Sequence, residues 1–146
     1  MERQSATAGH WTEEQYRLAL AREGPERLVL VAEDFPPLPS APETSTHAET
    51  SPLGFLVAQH LPPEWELENI VVAPTSRRKG LGKRLLDSLL DAAKKTNSTA
   101  VFLEVRESNA AARTLYERTG FEQTGHRKAY YKNPSEDAVL YRLTLP

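Results

Sequence analysis

The sequence contains no cysteine in its 146 residues, which excludes a disulfide, a thiol nucleophile and a cysteine-based zinc site. It has four histidines whose spacing matches no metal-ligand pattern, so they are interpreted as surface or core residues and no metal is expected. No apolar run is long enough to span a membrane, and the first residues lack the pattern of a signal peptide. The sequence therefore predicts a cytoplasmic protein without a membrane partner.

The chain also lacks a strong excess of charge. Its formal net charge is −2, which argues against a nucleic-acid partner. The length predicts a single domain, residues 1–146. Large apolar residues are almost absent from residues 35–52, which contain five prolines. Such a segment cannot form a packed core, and it predicts a flexible loop inserted between two strands.

Positive charge is concentrated in residues 77–84, which read RRKGLGKR. This segment follows an apolar run at 67–72 and precedes apolar residues with helical spacing that begins at Leu81. A helix N-terminus carries a partial positive charge, so basic residues at this place predict a bound anion. Gly80 and Gly82 would let that anion approach the backbone. The alternative is a solvated basic turn without a ligand.

Along the rest of the chain, strands alternate with helices, which favours an α/β fold. Ser108 is predicted to cap the last helix, which ends at Gly120. Tyr130 and Tyr131 are assigned to the loop between the last two strands. The predicted strands are 27–31, 53–60, 66–72, 100–106, 121–125 and 137–143, and the predicted helices are 13–21, 81–95 and 109–118.

The basic segment is neither a Walker A loop nor a dinucleotide fingerprint, because Arg77, Arg84 and Leu85 occupy positions that those motifs reserve for other residues. The pattern Arg77-x-x-Gly80-x-Gly82 after a strand instead resembles the pyrophosphate loop of the GNAT superfamily of N-acetyltransferases. Downstream, LEVRESNAAA at 103–112 and LYERTGF at 115–121 resemble the next motif of that superfamily. Residues 66–145 are most similar to its RimI type, which acetylates the N-terminal alanine of a ribosomal protein.

The resemblance implies a GNAT-like fold, a mixed and mostly antiparallel central sheet with flanking helices. The strand and helix that open the family fold are expected to be missing before Trp11. The cosubstrate would be acetyl-coenzyme A, held where the strands of Ile70 and Val101 splay apart. The residues expected to bind it are Ile70, Val71, Val72, Arg77, Arg78, Lys79, Gly80, Leu81, Gly82, Lys83, Asn109 and Tyr116.

The resemblance also implies direct acetyl transfer, with Glu104 as the base and Tyr116 as the acid that protonates the departing thiolate. Glu104 is a carboxylate among apolar strand residues, where loss of water would make it a better proton acceptor. The alternative for Glu104 is an ordinary ion-pair partner at a strand end. The alternative for Tyr116 is a core aromatic that packs on Ala112, one helical turn earlier.

The acceptor would be a protein N-terminus, with a ribosomal protein as the candidate. Tyr130 and Tyr131 would shape its pocket, and Glu68 and Glu136 would attract its positive charge. The alternatives for these four are loop aromatics pinned on the core and solvated carboxylates. Other functions left open are acetyl transfer to a small-molecule amine and acyl-coenzyme A binding without turnover. An exposed sheet edge would permit a monomer or a weak homodimer.

Overall fold

The computed structural model of the protein describes residues 26–33 and 52–146. These residues form six strands, two α-helices and one short 3₁₀ turn at Pro74–Ser76. The predicted helix at 13–21, the opening of the chain and nearly all of the proline-rich segment lie outside the described residues. The elements are β1 (Arg27–Glu33), β2 (Pro52–Leu61), β3 (Glu64–Val72), α1 (Leu81–Lys95), β4 (Ala100–Arg106), α2 (Ala110–Thr119), β5 (Glu122–Tyr131) and β6 (Glu136–Thr144).

The six strands form one sheet in the order β1-β2-β3-β4-β6-β5. Every neighbouring pair is antiparallel except β3 and β4, which are parallel. A parallel pair needs a long crossover, and α1 supplies it. The predicted α/β fold with a mixed, mostly antiparallel sheet is confirmed. Neither helix in the described part of the chain has the length and hydropathy that a membrane span needs.

The core lies between α1 and one face of the sheet. In β4 the side chains of Val101, Leu103 and Val105 are buried and alternate with less buried ones, as the period of two in a strand requires. Helix α1 presents an apolar stripe to the same core because its leucines recur at helical spacing. The buried residues of α1 are Leu85, Leu86, Leu89, Leu90 and Ala93.

The start of α2 corrects one prediction. Ser108 is not its N-cap; the cap is Asn109, whose Oδ1 accepts the N–H of Ala112 at 3.1 Å. The backbone N–H of Ser108 donates instead to the Glu136 carboxylate, so Ser108 belongs to the loop before the helix. Serine and asparagine are about equally good caps, and the sequence pattern does not choose between two adjacent ones.

The positions of Tyr130 and Tyr131 correct a second prediction. Both residues are in β5 and not in the loop after it. Tyr131 pairs with Glu136, after a break of register between Arg127 and Tyr131. Ala129, inside that break, has the left-handed φ of 49°. The irregular strand continues past the predicted end at 125, and its mostly exposed side chains lack the apolar alternation that identifies a strand.

Replacing Leu86 with alanine should lower the free energy of unfolding by about 2–5 kcal/mol, because the leucine is fully buried and its loss leaves a cavity. Urea unfolding followed by circular dichroism measures this change. Asp91→Ala, an exposed change on the same helix, should shift the free energy by less than about 0.5 kcal/mol. Equal effects of the two changes would contradict the assignment of the buried face.

Candidate active site

The site is built around a fork between two parallel strands. The ladder between β3 and β4 ends at the pair Leu67 and Leu103, although β3 continues to Val72 and β4 to Arg106. The predicted splaying of these strands is therefore confirmed. A fork of this kind leaves the backbone of β3 beyond Leu67 without a β4 partner, and a ligand can pair with it there.

The basic turn lies where β3 leads into α1. Arg78 and Gly80 both have left-handed φ angles, 64° and 76°, so the turn brings successive amide groups to the start of the helix. Gly80 is the N-cap and makes no side-chain cap hydrogen bond, and the first turn of α1 has no acidic residue. Arg77 Nε donates to Val72 O at 3.3 Å, which holds the turn against the end of β3. This geometry fits a polyanion such as a pyrophosphate.

Gly82 has a packing role that the sequence did not reveal. A Cβ on Gly82 would lie 3.2 Å from Leu115 Cδ2 and 3.8 Å from Val72 Cγ2. The glycine therefore lets α1 approach α2 and the end of β3 closely. Gly54, which sequence reasoning passed over, has a similar role, because a Cβ there would lie 2.7 Å from Val71 O.

Glu104 follows the last rung of the fork on β4. One of its carboxylate oxygens, Oε1, lies 3.3 Å from Nη1 of Arg127, and its side chain is 21% exposed. Tyr130 is its neighbour from β5. The pKa of Tyr130 is raised, first by the Glu104 carboxylate beside it and then by burial. The ion-pair alternative for Glu104 is thus seen in the structure, together with a position beside the predicted acceptor-binding tyrosine.

Tyr131 connects this carboxylate with the rest of the site. Burial, and next the charge of Glu104, raises its pKa to about 12. The guanidinium carbon of Arg106 lies 4.4 Å from the centroid of the Tyr131 ring, close enough for a cation–π contact. Arg106 is also ion-paired with Glu136 at 3.3 Å. Tyr131 is therefore held by Arg106 of β4, and the charge of Glu104 acts on its phenol.

Tyr116 is buried in α2, with 4% of its surface exposed. Its ring centroid lies 5.8 Å from that of Phe121 and 6.0 Å from that of Tyr141, so it is a core aromatic in its packing. Burial raises the pKa of its phenol far above the usual range, and Tyr131 raises it further. Tyr116 keeps its proton at any working pH.

Glu66 is a site residue that sequence reasoning missed. It precedes the last rung of the fork on β3, and its register partner Phe102 is two residues before Glu104, so Glu66 and Glu104 share one face of the sheet. Burial raises the pKa of Glu66, and the charges of Glu68 and Glu104 raise it further. Alternation of charged and apolar residues along β3 could have signalled this carboxylate.

The two other acidic candidates are engaged by partners within the chain. Glu68 accepts from Arg27 Nε at 3.0 Å, and its side chain is 15% exposed. Glu136 accepts from the backbone N–H of Ser108 and from Arg106, and the Ser108 hydrogen bonds lower its pKa first. Both carboxylates are therefore paired with groups of the chain itself in this structure.

Asn109 contacts its own helix, since its side chain caps α2. In a separate cluster, Nε2 of His126 lies 3.4 Å from an oxygen of Glu107 and 3.4 Å from an oxygen of Asp137. Ligand-type atoms of these three residues lie within 4.8 Å of one another. The histidine spacing along the sequence gave no sign of this cluster, because its members come from three separate segments.

Comparison with known proteins places this geometry in a family. The model of the Acetyltransferase (GNAT) family matches residues 5–121. The [ribosomal protein bS18]-alanine N-acetyltransferase of Escherichia coli (strain K12) is 41% identical over 93 residues, which are 62% of this chain and 63% of that protein. The chain thus matches less than two thirds of the length of this curated relative.

Solved structures agree with that assignment. The crystal structure of the ribosomal-protein-S18-alanine N-acetyltransferase from Escherichia coli has a TM-score of 0.73 and 29% identity, over 97% of this chain and 83% of that chain. A GNAT family acetyltransferase from Elizabethkingia anophelis, with acetyl-CoA bound, has a TM-score of 0.60 and 25% identity, over 66% of this chain and 71% of that chain. The resemblance to RimI-type enzymes is confirmed.

Proposed function

Because this chain belongs to the Acetyltransferase (GNAT) family, we propose that it transfers an acetyl group from acetyl-coenzyme A to the α-amine of a protein N-terminus. The observation that carries the proposal is the fork between β3 and β4, which has a basic turn at one end and the Glu104 carboxylate at the other. The basic turn fits a polyanion, and the Glu104 carboxylate fits an amine that must lose a proton.

The residues at the fork suit the cosubstrate. Acetyl-coenzyme A supplies the acetyl group as a thioester. Arg78, Lys79 and the amide groups at the start of α1 would bind its pyrophosphate, because they combine positive charge with backbone donors. The backbone N–H of Val72, on the part of β3 that has no β4 partner, would bind the arm and polarise the thioester carbonyl, whereas the backbone of Val71 pairs with Phe55 of β2.

An acceptor ammonium loses two protons in all, one before it attacks the thioester and one as the amide bond forms. One proton reaches the thiolate as the carbon–sulfur bond breaks, and one is released to solvent. Glu104 would accept the ammonium proton, which a peptide α-amine, with an ordinary pKa of about 8, releases readily. Tyr116 would donate the proton that reaches the thiolate, and the second proton from nitrogen makes up for it. The raised pKa of Tyr116 suits a donor that stays protonated until the thiolate departs.

The proposed acceptor class is a protein N-terminus that begins with alanine. The Escherichia coli relatives are named for the alanine of ribosomal protein S18. In this chain, Tyr130 and Tyr131 stand beside Glu104, where they would contact the first residues of a peptide. A small-molecule amine is the competing acceptor, and binding without turnover is the competing function.

Release of free thiol from acetyl-coenzyme A tests the function directly. We expect turnover with peptides that start with alanine and no turnover when the same peptides are already N-acetylated. A panel of small amines runs in parallel. Faster turnover of the small amines would make a small-molecule amine the acceptor in place of a peptide. Absence of thiol release with every amine would show that the protein binds the cosubstrate without turnover.

Replacing both Arg78 and Lys79 with alanine should weaken acetyl-coenzyme A binding by about tenfold or more, because charge-assisted contacts to phosphate are lost. Calorimetric titration with desulfo-coenzyme A measures the affinity. Lys94→Ala with Lys95→Ala removes two basic residues from the other end of the same helix and should leave the affinity unchanged. Equal losses in the two double variants would assign the effect to overall charge and not to the turn.

A further inference from the structure

The proposed base is bound by a cation of its own chain. Arg127 Nη1 lies 3.3 Å from Glu104 Oε1, and the two side chains are 54% and 21% exposed. Glu104 Oε1 is therefore occupied by a cation in this structure, and the ion pair has to open before an ammonium reaches this oxygen.

Arg127 also occupies the place that an acceptor needs. Its guanidinium carbon lies 5.5 Å from the centroid of the Tyr130 ring, while its Nη1 contacts Glu104. The cation therefore contacts the proposed base and also lies near the ring of the tyrosine beside it. An amine that approaches Glu104 past Tyr130 must take the position of this guanidinium, because two cations cannot share one carboxylate oxygen at contact distance without repelling each other.

The exchange is physically easy. Half-exposed ion pairs are weak because water screens the charges and long side chains lose freedom when they are held. Arg127 precedes the register break of β5, and more than half of its side chain is already in contact with solvent. When it moves away, an incoming ammonium meets the charge of Glu104, with Glu66 on the same face of the sheet.

We propose that Arg127 is an internal counter-ion of Glu104 that the cationic amine of the acceptor displaces, and that it thereby competes with every cationic acceptor. The inference rests on the proposed acetyl transfer and adds a competitor within the site. An acceptor with a charged amine replaces one cation with another, whereas an uncharged group does not compete for the carboxylate and leaves the Arg127 ion pair in place. Arg127 thus reduces the affinity for every amine by a small factor and leaves the affinity for neutral ligands unchanged.

Arg127→Gln tests this inference, with thiol release and an alanine-starting peptide as the assay. The KM for the peptide should fall about two- to fivefold, the range expected from losing a half-exposed ion pair, with kcat unchanged. Arg127→Lys keeps the charge and should keep the wild-type KM. Lys128→Gln, an exposed neighbour on the same strand, is the matched control and should behave as the wild type.

A second measurement separates charge from shape. The N-acetylated product peptide has no ammonium group, so Arg127→Gln should leave its inhibition constant unchanged. An unchanged or higher KM in Arg127→Gln, or an equal change for the acetylated peptide, would overturn the inference and make Arg127 a support for Tyr130. In both of these outcomes the wild type still releases thiol, so the proposed acetyl transfer stands. If the wild type releases none with any amine, the proposed function fails and the inference falls with it.

Discussion

Glu104→Gln is expected to lower kcat by roughly 10²–10⁴-fold, the usual contribution of a general base. Glutamine keeps the shape of the side chain but accepts no proton at this pH, so the loss should appear mainly in kcat if the amine still binds. Raising the pH should restore part of the rate. A peptide α-amine has an ordinary pKa of about 8, and above that value the free amine forms without help from the enzyme.

The measurement is a pH–rate profile of the wild type and the variant on an alanine-starting peptide. Glu122→Gln removes an exposed carboxylate at the opposite end of β5 and should give the wild-type profile. Glu66→Gln is the informative comparison, because Glu66 shares the face of Glu104 and has a raised pKa. A wild-type profile for Glu104→Gln with a large loss for Glu66→Gln would move the base from β4 to β3.

Regular elements with a buried face could be predicted from the sequence. The bounds of β4, residues 100–106, are confirmed at both ends, because Val101, Leu103 and Val105 recur at the strand period of two on one face. Helix α1 is confirmed at 81–95 for the same physical reason, a stripe at the helical period. The fork followed from the resemblance. Burial of apolar faces is a local property of the chain, and therefore the sequence pattern records it.

Long-range pairings of charged residues could not be predicted. Arg127 is more than twenty positions from Glu104 in the sequence. Only the order β4-β6-β5 in the sheet brings the part of β5 that carries Arg127 toward Glu104. The ion pair of Arg27 with Glu68 likewise joins β1 to β3. A charged side chain has the same local pattern whether it is solvated or paired. The partners therefore become visible only when the topology is known.

The irregular end of β5 could not be predicted from the sequence for a different reason. Its side chains are mostly exposed, so no apolar period marks the strand. The left-handed φ of Ala129 also breaks the ladder just before Tyr130. This break has a consequence for the site, since within it Tyr130 lies beside Glu104 and at its end Tyr131 packs against Arg106. In a flexible loop these tyrosines would not keep such fixed partners.

Tyr116→Phe is expected to lower kcat by about 10²-fold, and high pH should not relieve the defect. The reason is that the lost proton is the one delivered to the departing thiolate, not the one taken from the amine. Burial raises the pKa of the Tyr116 phenol far above its usual range, so its proton stays available across the whole profile. The aromatic ring remains packed against Phe121 and Tyr141, and the variant should therefore fold.

Two comparisons isolate this role. An acetyl donor whose leaving group needs no proton, such as an acetyl ester of a nitrophenol, should reduce the difference between Tyr116→Phe and the wild type. Tyr141→Phe removes another phenol from the same aromatic cluster, one that accepts from Arg113 at 3.1 Å and donates to Glu117 at 2.7 Å. That change should lower stability by about 1 kcal/mol or more and leave kcat nearly unchanged. If Tyr116→Phe keeps the wild-type kcat with both donors, Tyr116 is a core aromatic only, and the thiolate receives its proton from another group.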